Sequence, residues 1–346
     1  MIKHPDGPDL SLDTYVGLLK QNVKMTGMSE NIDLIGDTPD NPLGNPPGHS
    51  PGHSPGHSQH FPSPAQLAAT LARSLKGFAN VSWLQSTGST NTDLIELLKT
   101  WSSDFDACPP RDLPRLLGAH IQTAGKGRAG RSWIGAPGST LMFSCAFSVQ
   151  IPLSRLAGLS PALGVASCEA LRQVLPTQAQ RLTVKWPNDI QWDQRKLAGL
   201  LLESAGKDPD AGSSYLVIGM GLNLAAGQAL SLQLGRDVAD WASICCEAGG
   251  ASLNDPAILV SALATSWADT LSEYALTGFD GYVARFAAMD ALAGCAVTLS
   301  DQGRILQTGI AQGLDTTGRL LLRTETGLLP VSVGDVSVRR TSSTGK

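Results

Sequence analysis

Between Pro64 and Leu224 the chain alternates short apolar runs with longer runs of helical period, and no other feature of its 346 residues narrows the fold as much. "SPAQLAATLARSL" opens on a serine able to cap a helix. Next come "FANVSWLQS", of strand length, and "STNTDLIELLKTW", a helix capped by Ser89 or Thr90 that sets Leu94, Leu97 and Leu98 on one face. "PRLLGAHIQ", "STLMFSCAFSV" and "QRLTVKW" read as strands, with the long helix "SRLAGLSPALGVASCEALRQVL" between the last two. "RKLAGLLLESAG" and "SYLVIGMGLNL" follow with strand character, separated by a turn at "KDPDAGSS". Strands alternating with long helices indicate a mixed α/β domain.

The texture differs on either side of this region. From Asp37 to Pro64 the sequence is dominated by Pro, Gly, His and Ser, and "PGHSPGHSPGHS" repeats one tetrapeptide three times. Such a stretch buries too little apolar surface to offset its ordering entropy, so it reads as a flexible linker. Its histidines (His49, His53, His57) are spaced by repeat expansion, a simpler account than metal capture. Ahead of it lies one short amphipathic piece, Leu12 to Val23. Downstream, Leu259, Leu263, Trp267 and Leu271 recur every four residues, a helix. After Gly294 short strands are punctuated by D-x-G and T-x-G turns, as in a small β-barrel. The expected division is therefore 1–63 as an extension, 64–290 as the α/β domain and 291–346 as the barrel.

Composition excludes some functions. A net charge of −4 gives no global attraction to nucleic acid or an anionic membrane, although a local basic patch is compatible with it. The six cysteines (Cys108, Cys145, Cys168, Cys245, Cys246, Cys295) form no C-x-x-C pair and no zinc spacing, which reads as reduced thiols in a cytoplasmic protein. The first residues lack a signal-peptide pattern, and no apolar run is long enough to span a bilayer.

The chemistry is concentrated in "QTAGKGRAGRSW", where Gly125, Gly127 and Gly130 make a G-x-G-x-x-G. A dinucleotide turn also needs a helix directly after it and an acid about twenty residues on. Here the continuation holds Pro137 and two more glycines, and no acid lies between Arg131 and Val149. A P-loop fails because His120 stands where a glycine belongs and Gly127 follows Lys126. A kinase loop fails for want of H-R-D and D-F-G. What remains is a basic loop in which Lys126, Arg128 and Arg131 alternate with glycines whose amides can approach an anion.

Three further stretches give that loop a context: "STN" (Ser89 to Asn91), "VKWPNDIQWDQRKLAGLLLE" (Val184 to Glu203) and "VIGMGLNL" (Val217 to Leu224). Together, in this order, they resemble the biotin-protein ligases, whose signatures are a G-R-G-R-x-G-R-x-W loop, K-W-P-N-D followed by K-L-A-G, and G-x-G-x-N. The resemblance runs from about Ser82 to Arg340 and includes the closing "VGDVSVR". It implies a class II synthetase-like catalytic domain with a mixed sheet and flanking helices, followed by an SH3-like β-barrel. It also implies ATP and biotin as substrates, Mg²⁺, and a reaction in two steps through biotinyl-5′-AMP.

On that resemblance, Lys196, Arg128 and Lys185 are the catalytic candidates, through electrostatic stabilisation and orientation. Ser89, Thr90, Asn91 and Gln122 would meet the ureido ring of biotin, with Gly125, Lys126, Gly127, Arg128 and Lys196 completing its site. Lys126, Arg128, Arg131, Trp133, Lys185, Asn188 and Asn223 fall on the nucleotide side, and Asp189 is the candidate Mg²⁺ carboxylate. Each has a plainer reading: helix caps for Ser89 to Asn91, a strand-end amide for Gln122, a core side chain for Trp133. Asn188 with Asp189, and Asn223, read equally as turn residues. Lys126 departs from the family's arginine and lacks its bidentate fork. The implied partner is a biotin carboxyl carrier domain of a carboxylase; oligomeric state is left open, a homodimer being compatible. Lipoate ligases share the fold but carry an R-R-x-S-G-G-G loop and a downstream H-D absent here. A non-catalytic carrier-binding module is the other alternative. With a repeat-bearing linker where some relatives carry a winged helix, no operator binding is expected.

Overall fold

The computed structural model describes residues 61–103, 112–136, 138–207, 213–250, 255–301, 304–334 and 337–341. The expected amphipathic piece at Leu12 to Val23 and the histidine repeat lie outside these residues.

The sequence folds around a seven-stranded sheet in the order β1-β2-β3-β7-β6-β5-β4. Its strands are β1 (Asn80–Thr87), β2 (Arg115–Gln122), β3 (Thr140–Val149), β4 (Leu182–Lys185), β5 (Asp189–Trp192), β6 (Arg195–Lys207) and β7 (Ser214–Asn223). Only β1 and β2 pair in parallel, because a helix-bearing connection joins them; every other pairing is antiparallel. Helix α1 (Pro64–Ser74) starts with a capping box: Ser63 Oγ accepts from the Gln66 N–H, and Gln66 Oε1 accepts from the Ser63 N–H. Helix α2 (Thr90–Ser103) sets Leu94 and Leu98 against Leu117, Tyr215 and Val217 on one face of the sheet. On the other face lie α3 (Leu156–Val174) and, further along the chain, α6 (Pro256–Thr277), whose Leu259, Leu263, Trp267 and Leu271 are buried as their spacing predicted. Phe143 of β3 stacks on Trp267, ring centroids 5.2 Å apart, and the Trp267 indole N–H donates to Ser167 Oγ at 2.8 Å.

Two short helices, α4 (Gly227–Leu234) and α5 (Trp241–Glu247), precede α6, and α7 (Val283–Ala287) follows it. Asn188 lies in the turn after β4, as its turn reading expects, whereas for Asp189 that reading is corrected: it begins β5 and pairs with Gly199 of β6. The hairpin behind β5 turns on Asp193 and Gln194, at φ 46° and 69°. A left-handed turn without glycine is rare, which is why it escapes a reading by turn residues.

The C-terminal region forms a second, antiparallel sheet in the order β11-β10-β9-β8-β12, from β8 (Ala296–Asp301), β9 (Arg304–Leu314), β10 (Leu320–Thr324), β11 (Gly327–Val331) and β12 (Ser337–Arg340). Its β9–β10 turn is tied by Asp315, whose Oδ1 accepts from the N–H groups of Thr317 and Arg319. That turn seats on α3 where the helix presents Gly158. A Cβ on Gly158 would stand 2.6 Å from Thr317 O, so only glycine permits the approach. The indole N–H of Trp186 donates to Gly318 O at 3.0 Å, fixing the two sheets to each other beside the K-W-P-N-D segment.

Candidate active site

One face of the larger sheet opens into a cavity of about 450 Å³, a volume suited to a small organic ligand. The basic loop forms part of its wall. After β2 the chain makes a tight hairpin in which the Gly127 N–H donates to Arg131 O at 2.7 Å and the Trp133 N–H to Gly125 O at 2.8 Å. Ala129 and Gly130, both at positive φ, form the tip. No helix follows; the next element is β3, as the rejection of a dinucleotide turn requires.

The polar end of the cavity is built where α2 begins. Ser89, Thr90 and Asn91 are buried. The Thr90 N–H, an amide without an intrahelical partner, donates to Gln122 Oε1 at 2.7 Å, so Gln122 caps the helix from the end of β2. Thr90 Oγ1 lies 2.6 Å from Ser144 Oγ, which donates to Asn91 Oδ1 at 2.5 Å. Asn91 Nδ2 in turn donates to Glu203 Oε2 at 2.8 Å. Ser144 and Glu203 belong to this network although the sequence reading gave neither a role: Ser144 lies in the mostly apolar β3, and Glu203 only ends the quoted stretch in β6. Gly219 makes room for it, since a Cβ there would fall 2.0 Å from Asn91 Oδ1.

The opposite end is cationic. Lys196, at the start of β6, places Nζ 2.5 Å from Asp189 Oδ1 and 5.3 Å from the centre of the Trp133 ring. Gly199 leaves space for that ion pair: its hypothetical Cβ would lie 3.0 Å from Lys196 Nζ. Burial pushes the Asp189 carboxyl up, but the charge and hydrogen bond of Lys196, then Lys185 and Arg128, bring it below its ordinary value. Lys185 is held below the usual lysine value, first by burial, with Asp189 opposing and Lys196, Arg339 and Arg236 adding to the depression. Arg128 donates through Nη1 to Asn188 Oδ1 at 3.3 Å and through Nη2 to Gly334 O. Arg131 donates to Ser337 Oγ, so one loop arginine reaches the segment before β12 and the other the first residue of that strand. Counting Lys126, Arg128, Arg131, Lys185, Lys196, Arg236 and Arg339 against Asp189, the wall carries seven cations and one carboxylate among the described residues, in a chain whose net charge is −4. Such a surplus focuses a positive field into the cavity and favours an anionic ligand there.

Thirteen of the fifteen residues named from the sequence line this cavity; Gly125 and Asn223 do not. Gly125 lies on the far side of the loop hairpin, where a Cβ would strike Trp133 O at 2.6 Å. Asn223 is 2% exposed and donates through Nδ2 to Ala239 O at 3.0 Å and Lys196 O at 3.3 Å, so it holds the backbone of Lys196 in place instead of facing the cavity. Trp133 covers Gly221, and its indole N–H is buried with no hydrogen-bond partner among the described residues. Arg236 escaped the sequence reading because it stands outside the motifs, after α4; Arg339 closes the quoted "VGDVSVR" in β12 but was given no role there.

Comparison with known proteins agrees with this geometry. Residues 88–223 match the model of the biotin/lipoate A/B protein ligase family, and residues 294–339 that of the biotin protein ligase C-terminal domain. The chain is 32% identical over 279 residues to the bifunctional ligase/repressor BirA of Salmonella typhimurium, covering 80% of each chain. It is 30% identical over 254 residues to the biotin–[acetyl-CoA-carboxylase] ligase of Paracoccus denitrificans, covering 73% of this chain and 98% of that one. Among solved structures, the biotin protein ligase of Aquifex aeolicus in complex with biotin and ATP superposes with a TM-score of 0.57 at 24% identity, over 76% of this chain and 99% of the other, a likeness of fold. The motifs, the two sheets and these relatives lead to one conclusion: the chain belongs to the biotin/lipoate A/B protein ligase family.

Proposed function

We propose that this protein is an ATP-dependent biotin-protein ligase. The observation that carries the reading is the pairing, within one cavity, of a neutral hydrogen-bonding end with a strongly cationic end. Biotin has the matching halves, a ureido ring and a carboxylate, and ATP adds a triphosphate beyond the carboxylate. In the first step a carboxylate oxygen of biotin attacks the α-phosphorus of ATP, forming the acyl-phosphate bond and releasing pyrophosphate. In the second, a lysine amine of the acceptor attacks the acyl carbon, AMP leaves with the bonding electron pair, and the amine loses a proton.

The first step brings two anions into contact, so the protein's contribution is positive charge fixed before the reactants arrive. Lys196 stands between Asp189 and Trp133, where the carboxylate and the α-phosphate would meet. Arg128, anchored on Asn188 and Gly334, covers that point from the loop. Lys185, Arg236 and Arg339 form the wall toward which the leaving pyrophosphate would lie. Lipoate, which lacks a ureido group, would leave the Thr90–Gln122–Asn91 end unmatched, and an unmatched polar site rejects a ligand strongly.

Mg²⁺ fits this site in one way. Among the described residues no group of three His, Cys, Asp or Glu side chains is placed to hold a metal ion, and Asp189 is the single carboxylate of those residues on the wall. The ion would be held by Asp189 together with the phosphates, as is usual for Mg²⁺, and would there neutralise charge on the triphosphate.

The acceptor we propose is the biotin carboxyl carrier domain of a carboxylase, with the reaction in the cytoplasm. Incubation with a purified carrier domain, biotin and ATP should add one biotinyl group at a single lysine, read by mass spectrometry. Adenylate formation without any transfer would reject this acceptor. We further propose that the protein does not bind operator DNA, on the composition of residues 1–60. Salt-dependent, sequence-selective affinity in a fluorescence-anisotropy titration would overturn that.

A further inference from the structure

The hydrogen bonds at the polar end of the cavity form one directed chain, and its direction is set by a residue that lies outside the cavity wall. Glu203 is a carboxylate, so it accepts. It faces Asn91 Nδ2 at 2.8 Å, and Leu201 O lies 3.5 Å from the same nitrogen. Two acceptors on that side fix which end of the Asn91 amide is nitrogen, because the reverse orientation would set oxygen against oxygen. Asn91 Oδ1 must therefore accept, and Ser144 donates to it at 2.5 Å. A serine has one proton. With that proton committed, Ser144 Oγ can only accept from Thr90 Oγ1, 2.6 Å away. Thr90 Oγ1 has one proton and two acceptors in reach, Ser144 Oγ at 2.6 Å and Gln122 Oε1 at 3.1 Å; the shorter contact takes it, and the Thr90 oxygen is left with a lone pair. Gln122 Oε1, 3.1 Å from Thr90 Oγ1 and 2.7 Å from the Thr90 N, is occupied by the amide N–H, which leaves the Gln122 NH₂ as the group able to donate to a ligand.

We propose that Glu203 is a positioning residue that sets the donor and acceptor polarity of this wall, so that Thr90 Oγ1 accepts from a ligand N–H while Gln122 donates to a ligand carbonyl. That pattern is the complement of a cyclic urea, and the inference rests on the biotin reading above. Glu203 acts through Asn91 and Ser144, and lines only the adjoining cavity beneath the glycine loop. Without its carboxylate, the single 3.5 Å contact to Leu201 O does not hold the Asn91 amide, which can turn over. Ser144 then redirects its proton toward Thr90, and Thr90 loses the accepting role.

The test is a cycle between the protein and the ligand, read by isothermal titration calorimetry. Wild type, Glu203→Met and Glu203→Gln are each titrated with biotin and with the carbamate analogue in which a ureido NH is replaced by oxygen. Wild type should discriminate against the carbamate about tenfold, the weight of one hydrogen bond. Glu203→Met should weaken biotin binding about tenfold and lose most of that discrimination, with the KM for ATP unchanged. Glu203→Gln keeps an acceptor through its amide oxygen and should retain the discrimination. If Glu203→Met weakens both ligands by the same factor, or leaves biotin affinity unchanged, Glu203 has only a packing role and the proposal fails. Should Glu203→Met not fold, loss of discrimination in Glu203→Gln would still refute it. Wild type that binds neither ligand would refute the biotin reading itself, a separate outcome.

Discussion

Replacing Lys196 by Met removes the ammonium and keeps most of the side-chain volume, so the consequences should be electrostatic. Two are expected. In catalysis, Lys196 would supply a charge-assisted hydrogen bond to the reacting anions, of about 1.5 to 3 kcal/mol, and its loss lowers kcat/KM for adenylation by roughly one to two orders of magnitude. In stability, the variant leaves Asp189 without its nearest cation. The pair is partly exposed, with side chains at 19% and 27% accessibility, and Lys185 and Arg128 remain close to the carboxylate. The cost should fall between that of an exposed pair, about 0 to 1 kcal/mol, and a broken buried pair, about 3 to 5 kcal/mol; we expect about 1 to 2. The sign with pH follows from the depressed Asp189 carboxyl. Its contribution is complete above the unfolded value of about 3.9 and is lost as pH falls through the lower folded value. Urea unfolding of wild type and Lys196→Met should therefore differ at pH 7 and converge as the pH falls through the lowered Asp189 value. An equal difference on both sides of that value, or an unaltered adenylation rate, would refute the assignment of Lys196 and Asp189 as a functional ion pair.

Three further outcomes are expected. Arg128→Gly removes the anchors to Asn188 and Gly334, so biotinyl-5′-AMP should escape faster in a filter-retention assay; retention as long as wild type would mean the loop is not a cover. Gly219→Ala forces a Cβ to within 2.0 Å of Asn91 Oδ1 and should weaken biotin binding at least tenfold, while leaving the thermal midpoint within a few degrees; unchanged affinity would show that Asn91 has room to move. Arg339→Ala should raise the KM for ATP without changing that for biotin, and should flatten the salt dependence of ATP binding; equal effects on both substrates would place Arg339 elsewhere.

Much of this was legible in the sequence, for physical reasons that vary with the element. Strands β3 and β7 are mostly apolar because both of their faces are covered, and α6 shows its buried stripe every fourth residue. The cavity could be assembled in advance because its loop, its first helix turn and its Lys196 strand each carry a local motif. Strand β5 was hidden by a hairpin turn made of Asp193 and Gln194, residues that do not advertise positive φ. Helix α5 was missed although Asp240 caps it, accepting from Ser243 N–H at 2.9 Å, since seven residues give too few turns for a period to show. Ser144, Glu203, Arg236 and Arg339 could not be found by spacing. They join the site only through strand pairing and chain return, which one-dimensional patterns do not encode. Asn223 shows the converse: a motif residue whose place in the structure is to hold Lys196, not to face the ligand.

The central claim is that this cavity activates biotin, and the most direct measurement is pyrophosphate release from ATP by the purified protein with Mg²⁺ and either biotin or lipoate. Release that depends on biotin, is absent with lipoate and falls by at least tenfold in Lys196→Met is the predicted result. Release with lipoate alone, or with neither acid, would contradict it.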